Sequence, residues 1–361
     1  MLLYVFLAIL ILVCAFVIRG NKLKGFMFFS VLIVMLLLCG LRGAQCGTDT
    51  YNYWRMAWGT YGGEIPFIYE PLLKFSRCFP LSHVVFCLCM AGLCYIPLMY
   101  ILNKYSDNKC LSVFLYMATG GLFFLEGFNL AKQSVSLSFV LLAVALYEDR
   151  KKLASCISYL FAILFHPFAL LLLPLPLLSK IKFSKPRIVI ILGLSMFFGI
   201  VFSVVLMGDI IEKVTSVVGG SSFYIFNHLS KYSHYNYTYN VSFIGAMSHM
   251  LPMVTLCLII YSNKIANNLF YKMLLFGTVI LCLNIGSLFC ERTAAFYTIA
   301  VIIAYPNSLK YVTCKQRKRI KYFCIVLLAL YIYNMNVMQS LGRSGELATP
   351  VPYMSFITSP F

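Results

Sequence analysis

The stretch LASCISYLFAILFHPFALLLLPLPLL, residues 153–178, decides how the chain folds. It is long enough to cross a hydrocarbon core of about 30 Å once. His166-Pro167 breaks it in the middle, however, and Pro174 and Pro176 follow. Lys151 and Lys152 stand before it; Lys180, Lys182, Lys185 and Arg187 stand after it. A single crossing would leave one of these clusters outside. It would also invert every later loop and export Lys310, Lys315, Arg317, Lys318, Arg319 and Lys321. A re-entrant hairpin of two short helices keeps all of them on the inner side, where the positive-inside rule wants them. A helix broken at membrane depth is tolerated only where protein or a watery cavity satisfies its backbone, so the tip of the hairpin is itself a site candidate. Residues 153–164, as a helix, rise about 18 Å, which carries His166 past the midplane toward the outer face.

The rest of the chain belongs to the same class. Of 361 residues, 61% are hydrophobic and 11% charged, with a mean hydropathy of +0.87. Water-soluble domains run near about 45–50% apolar and about 25% charged, so a soluble fold is excluded. Apolar spans read at 2–18, 26–41, 82–102, 111–125, 133–147, 153–178, 188–207, 243–261, 269–289, 294–305 and 322–338. The expectation is an all-α polytopic helix bundle forming one integral membrane domain over residues 1–361. It has about ten crossings, the re-entrant hairpin at 153–178 and both termini outside. Leu2 to Ile18 has no basic region before it and no small-residue cleavage site, so it reads as a retained first helix. Two outer loops are larger than the rest, at 42–80 and 208–242.

The formal charge of +18 suggests nucleic acid only until its distribution is read. With the hairpin, 19 basic residues fall in inner loops, Lys272 snorkels to an inner boundary, and 9 lie outside facing 8 acids. That is a membrane pattern, and no nucleic-acid partner is expected. Most of the 14 cysteines sit inside apolar blocks, without metal or C-x-x-C spacing, and act there as small hydrophobes. Cys46 and Cys78 share one outer loop, and spacing leaves a disulfide between them open. His228 and His234 have no carboxylate at ligand spacing, so neither a metal nor a cofactor is expected.

Inner loops are too short for a catalytic domain, so chemistry belongs to the outer half. Four constellations stand there. Arg42-Gly43-Ala44-Gln45-Cys46-Gly47-Thr48-Asp49-Thr50-Tyr51-Asn52-Tyr53 follows the second span. Arg42 can fork onto phosphate oxygens and Asp49 can accept a proton; the ordinary alternative is an interfacial ion pair with a helix cap. Asn129-Leu130-Ala131-Lys132-Gln133-Ser134 opens another span, where Lys132 and Gln133 either cradle an anionic head group or Lys132 snorkels. His166 titrates near working pH and suits proton transfer; otherwise it is a neutral histidine bonded to a backbone carbonyl freed by Pro167. Glu291-Arg292, with Tyr297 farther along, suits a pyrophosphate or is an interface ion pair. Arg343 and Glu346 in the tail are a weaker version of the same pattern. Both tryptophans, Trp54 and Trp58, lie in the 42–80 loop. Their aromatic faces suit sugar C–H surfaces as well as an interfacial belt.

These residues resemble the EpsG / O-antigen polymerase (Wzy-like) family. The run Gly47-Thr48-Asp49-Thr50-x-x-Tyr53 after an Arg-bearing span end is similar to that family's pattern. Lys132-Gln133 occupies the place of its Arg-Gln, His166-Pro167-Phe168-Ala169-Leu170 that of its His-x-Ser-Ala-Leu, and Arg292 with Tyr297 that of its late Arg-x-x-x-Tyr element. The chain departs from the pattern at Lys132 and Phe168, and lysine keeps the charge of arginine but not its bidentate fork. The resemblance implies a membrane glycosyltransferase of the bacterial cytoplasmic membrane. It would join undecaprenyl-pyrophosphate-linked repeat units of O-antigen, capsule or exopolysaccharide at the outer face. Catalytic residues are then His166 and Asp49. Substrate-binding residues are Arg42, Lys132, Gln133, Arg292, Tyr53, Trp54, Trp58 and Arg343. Partners are the lipid-linked donor and acceptor glycans, membrane lipid and a chain-length regulator. Competing readings are an O-antigen ligase-like or other lipid-linked glycosyltransferase, a membrane acyltransferase with His166 as base, and a flippase or transporter of lipid-linked sugars. The last would need cations running through to the inner face, and here they stop in the outer third.

Overall fold

The computed structural model describes residues 1–119, 126–129, 131–202, 243–262, 268–283, 288–344 and 351–357. In chain order its α-helices are α1 (Leu2–Phe16), α2 (Asn21–Gly40), α3 (Thr50–Trp58), α4 (Glu70–Ser76), α5 (Ser82–Tyr105), α6 (Lys109–Ala118), α7 (Glu126–Asn129) and α8 (Ala131–Glu148). They continue as α9 (Lys152–Phe165), α10 (Leu175–Lys180), α11 (Lys185–Phe202), α12 (Phe243–Ser262), α13 (Leu269–Leu283), α14 (Leu288–Thr298), α15 (Val301–Ser308) and α16 (Cys314–Ser344). The fold is all-helical among the described residues. By length and composition α2, α5 and the Cys314–Val337 part of α16 can each cross a membrane, and several shorter helices are equally apolar. Large apolar side chains such as Phe6, Phe26, Ile33, Tyr322 and Ile325 point outward from α1, α2 and α16. An exposed apolar surface of that extent belongs against lipid.

The break at His166-Pro167 is present. α9 stops at Phe165, His166 is extended (φ −152°, ψ 117°), and a 3-10 turn runs over Pro167–Leu172 before α10. α2 begins at Asn21, well before the apolar block at 26–41, because Lys22 and Lys24 are carried in its first turns. The 42–80 loop is not open chain: it folds into α3, a 3-10 turn at Phe67–Tyr69 and α4. The 208–242 loop, with His228 and His234, lies outside the described residues.

Two compact units can be told apart: Met1–Ala169 with Tyr305–Phe361, and Leu170–Ala304. At the centre of the first is α8, whose serines face other helices rather than water. Ser136 Oγ donates to Ala162 O at 2.6 Å, and Ser155 Oγ of α9 donates to Ala143 O at 2.7 Å. Small polar residues let helix backbones approach closely where no hydrophobic force separates helix from lipid. α6 is buried from Cys110 through Ala118, and Asn108 caps it by accepting from Leu111 N.

The ends of this unit differ in chemistry. At one end Lys104 pairs with Asp149 and Lys310 with Asp107, each at 2.6 Å. Asn307 accepts from Asp107 N and donates to Tyr105 O there, and Asn108 donates to Ala15 O. At the other end of α2 the C-terminal segment returns to the chain. Gly43 N donates to Met354 O at 2.7 Å and Phe356 N to Leu41 O at 3.0 Å, an antiparallel bridge between Arg42 and Ser355.

In the second unit Gly277 lets α13 and α14 touch: a Cβ there would stand 2.6 Å from Tyr297 Cβ. Lys272 lies on α13 close to the end of α10. It is buried and its Nζ donates to Ser179 O, a carbonyl in the last turn of α10 that has no helical partner left.

Candidate functional site

Arg42 is the pivot of the α2 end, and it is buried at 1% exposure. Its Nε donates to Thr50 Oγ1 at 2.8 Å, its Nη1 to Cys39 O at 2.6 Å and to Gly127 O at 3.3 Å, and its Cζ lies 6.0 Å from the Phe128 ring centroid. One guanidinium therefore ties the end of α2 to the start of α3 and to α7. All these partners are neutral, and Nη2 has no hydrogen-bond partner among the described residues. A cavity with about 210 Å³ of empty space, lined by Arg42, Cys39, Tyr95, Gly127 and Ser134 among others, adjoins it. Ser134 Oγ is likewise buried without a partner among the described residues. That space includes open solvent, and what it encloses has room for about one water molecule. In this conformation Arg42 can hold water or a single oxygen of an anion; a whole pyrophosphate does not fit.

The 47–53 turn is shaped by Gly47. Its φ is +100°, and a Cβ would collide with Phe128 O. Asp49 follows as the residue before α3, half-buried. Tyr53 is buried near Asp49 and faces the backbone amide of Lys132. Burial first, and then the Asp49 carboxylate, push its phenol far above the usual tyrosine range, so Tyr53 stays protonated and neutral. Lys132 is half-buried in the first turn of α8, and the neighbouring Gln133 is buried with Oε1 unpartnered among the described residues. Four sequence-predicted residues, Arg42, Asp49, Tyr53 and Lys132, thus meet at one end of the first unit, with Gln133 beside them.

His166 is buried at 1% exposure. Pro167 has no N–H, so the first donor of the 3-10 turn is Phe168 N, and it donates to His166 Nδ1 at 3.4 Å. An Nδ1 that accepts leaves the proton of the neutral imidazole on Nε2. His166 therefore caps the turn, with Phe168 at 5.1 Å between ring centroids. One bonded partner of His166 is thus a backbone N–H, that of Phe168.

Trp54 is buried at 1% exposure, whereas Trp58 stands open at 36%. Between them sits His83, a residue the sequence reading passed over because it opens an apolar helix with no motif around it. Trp58 Nε1 donates to His83 Nδ1 at 3.1 Å. Cys46, buried, and Cys78, exposed, are not joined in a disulfide. Burial pushes the Cys46 thiol up to about 11, so it has little thiolate with which to form a disulfide.

Arg292 lies in the second unit, half-buried on α14, where Tyr297 OH donates to Leu171 O. The side chains of Asn129, Glu291 and Arg343, and all of Leu130 and Glu346, lie outside the described residues.

Several helices long and apolar enough to cross a membrane, with large apolar side chains turned outward, define a membrane protein. The chain belongs to the EpsG family, whose family model matches residues 25–354. Membership marks it as a membrane protein with a polymerase-like role in polysaccharide biosynthesis. No curated protein and no solved structure matches the chain.

Proposed function

We propose that the protein is a glycosyltransferase that polymerises undecaprenyl-pyrophosphate-linked oligosaccharide repeat units at the outer face of a bacterial cytoplasmic membrane. The observation that carries this reading is the gathering of Arg42, the 47–53 turn and the start of α8 at one end of the first unit, in a chain of the EpsG family. Basic residues and ion pairs collected at the other end support a topology of ten crossings. In it the 153–178 hairpin is re-entrant and both termini lie outside.

The donor's leaving group is a pyrophosphate, and cations stabilise it as charge develops. Lys132, half-buried and with three rotatable donors, meets it first, and Gln133 and Tyr53 orient it; Arg292 and Arg343 are further substrate-binding candidates from the family resemblance. Arg42 acts from beneath, through the position of Thr50 and α7 and through Nη2. The acceptor hydroxyl oxygen attacks the anomeric carbon of the donor. Its proton passes to the Asp49 carboxylate, the bond from the anomeric carbon to the pyrophosphate oxygen breaks, and undecaprenyl pyrophosphate leaves with the electron pair. The Nδ1 lone pair of His166 already accepts from Phe168 N. His166 therefore contributes its Nε2–H as a hydrogen-bond donor, and Asp49 is the base.

A polysaccharide gel from a deletion strain tests the reading. Deletion should collapse the polymer ladder to a single repeat unit. Wild type should restore the ladder, and Asp49→Asn at normal protein level should not. An unchanged ladder on deletion would end the polymerase reading. Loss of even the single unit would point to a flippase or ligase.

A further inference from the structure

Both tryptophans of the chain meet at one place, and a histidine joins them. Ring centroids of Trp54 and His83 are 4.2 Å apart, those of Trp58 and His83 5.2 Å, and those of the two indoles 5.5 Å. The indole Nε1–H is donor only, so the 3.1 Å bond from Trp58 needs an unprotonated His83 Nδ1. The imidazole proton then sits on Nε2, away from the Trp58 bond. The result is a half-open indole beside a half-buried imidazole whose remaining nitrogen is a donor.

The platform is rigid. Gly59, in the left-handed region at φ +77°, ends α3 immediately after Trp58. Arg77 donates to Met56 O at 2.7 Å and to Ala57 O at 3.0 Å, closing the last turn. Along the open face of α3, Tyr51, Arg55 and Trp58 follow at helical spacing, with Tyr51 52% exposed. A tryptophan of a lipid belt turns its N–H to the head groups and interfacial water. Here that N–H is bonded to His83, and the indole is 36% exposed. An aromatic face with few, oriented polar donors suits a sugar ring, which is apolar on its C–H surface and hydroxylated at its rim.

We propose that Trp58 and His83, floored by Trp54, form a carbohydrate subsite: the Trp58 face takes a sugar ring and His83 Nε2–H donates to one of its hydroxyls. The inference rests on the polymerase reading for the kind of glycan. It assigns to His83 a binding role independent of the bond-forming residues.

Because the protein has 2 tryptophans and both are here, intrinsic fluorescence reports on this site alone. The full chain in lipid vesicles, which add no tryptophan, would be titrated with the repeat-unit oligosaccharide freed by mild acid from the producing strain's own polysaccharide. A saturable change in emission is expected. His83→Ala and Trp58→Phe should each weaken the midpoint about fivefold or more, the scale of one lost hydrogen bond. His83→Gln, which can still donate, should weaken it less, and thermal melting of each variant separates binding from folding. If the oligosaccharide leaves the emission unchanged while brominated lipid quenches it, the cluster is a lipid anchor and the subsite is overturned. The deletion-strain gel is independent: a restored ladder with no fluorescence response sinks the subsite alone. A ladder that never depended on the protein sinks the polymerase reading, and the titration still decides whether sugar binds.

Discussion

The two ends of the first unit handle positive charge in opposite ways. At the end carrying Lys104, Asp107, Asp149 and Lys310, the two lysines are partly exposed and each meets a carboxylate. At the end carrying Arg42, the cation is buried, its three hydrogen bonds go to neutral oxygens, and one nitrogen remains unpartnered among the described residues. Surface pairs contribute little to stability, and their placement sets the orientation of helices in the membrane. A buried cation whose partners among the described residues are all neutral is costly to keep, and in membrane proteins such groups often mark function. On the proposed reading, the first end bears on how the chain is inserted and the second on where it works.

Arg42→Ala strikes hardest at this contrast. It strands Thr50 Oγ1 and two backbone carbonyls at once, at a cost of about 3 kcal/mol. Thermal melting in detergent should show a large fall, with loss of polymer; Arg42→Lys should recover part of the stability and little of the polymer. A variant that melts like wild type would erase the difference between the ends. Gly47→Ala comes next. It forces a side chain into positive φ and against Phe128 O, costing about 1–3 kcal/mol, read as a lower Tm.

His166→Asn sharpens the comparison by separating structure from chemistry. Asparagine can still accept from Phe168 N, so stability should fall by less than the roughly 1 kcal/mol of a lost cap. The ladder should nonetheless shorten, because Nε2–H is gone. A full ladder would confine His166 to the turn.

The smallest effect belongs to the paired end. Lys104, and then Tyr105, hold the Asp149 carboxylate below its ordinary value of 3.8. A lowered folded-state pKa stabilises above the unfolded value and is lost as pH falls through the folded one. Asp149→Asn should therefore melt slightly below wild type near neutral pH, and the wild-type Tm should slip toward it as pH drops below 3.8 and through the lowered folded-state value. A large loss at neutral pH would contradict the assignment of this end to orientation.

What the chain order alone decides here is local and repetitive. Apolar blocks become helices because a bilayer core demands internal backbone bonding, and the His166-Pro167 break follows from a missing N–H. Loop charges read the same way, since insertion responds to them one loop at a time. The Gly47-Thr48-Asp49-Thr50 run and Lys132-Gln133 were visible as site candidates because their chemistry lies within a few neighbouring residues. The remainder depends on contacts between distant segments. Whether Arg42 faces solvent or Gly127 O, whether Trp54 or Trp58 is open, and whether the 351–357 tail lies free or bridges to Arg42 are questions of packing. His83 shows the limit most plainly: one histidine at the start of an apolar helix carries no pattern. It becomes part of a site only because α3 is set against α5 so that an indole N–H meets it at 3.1 Å.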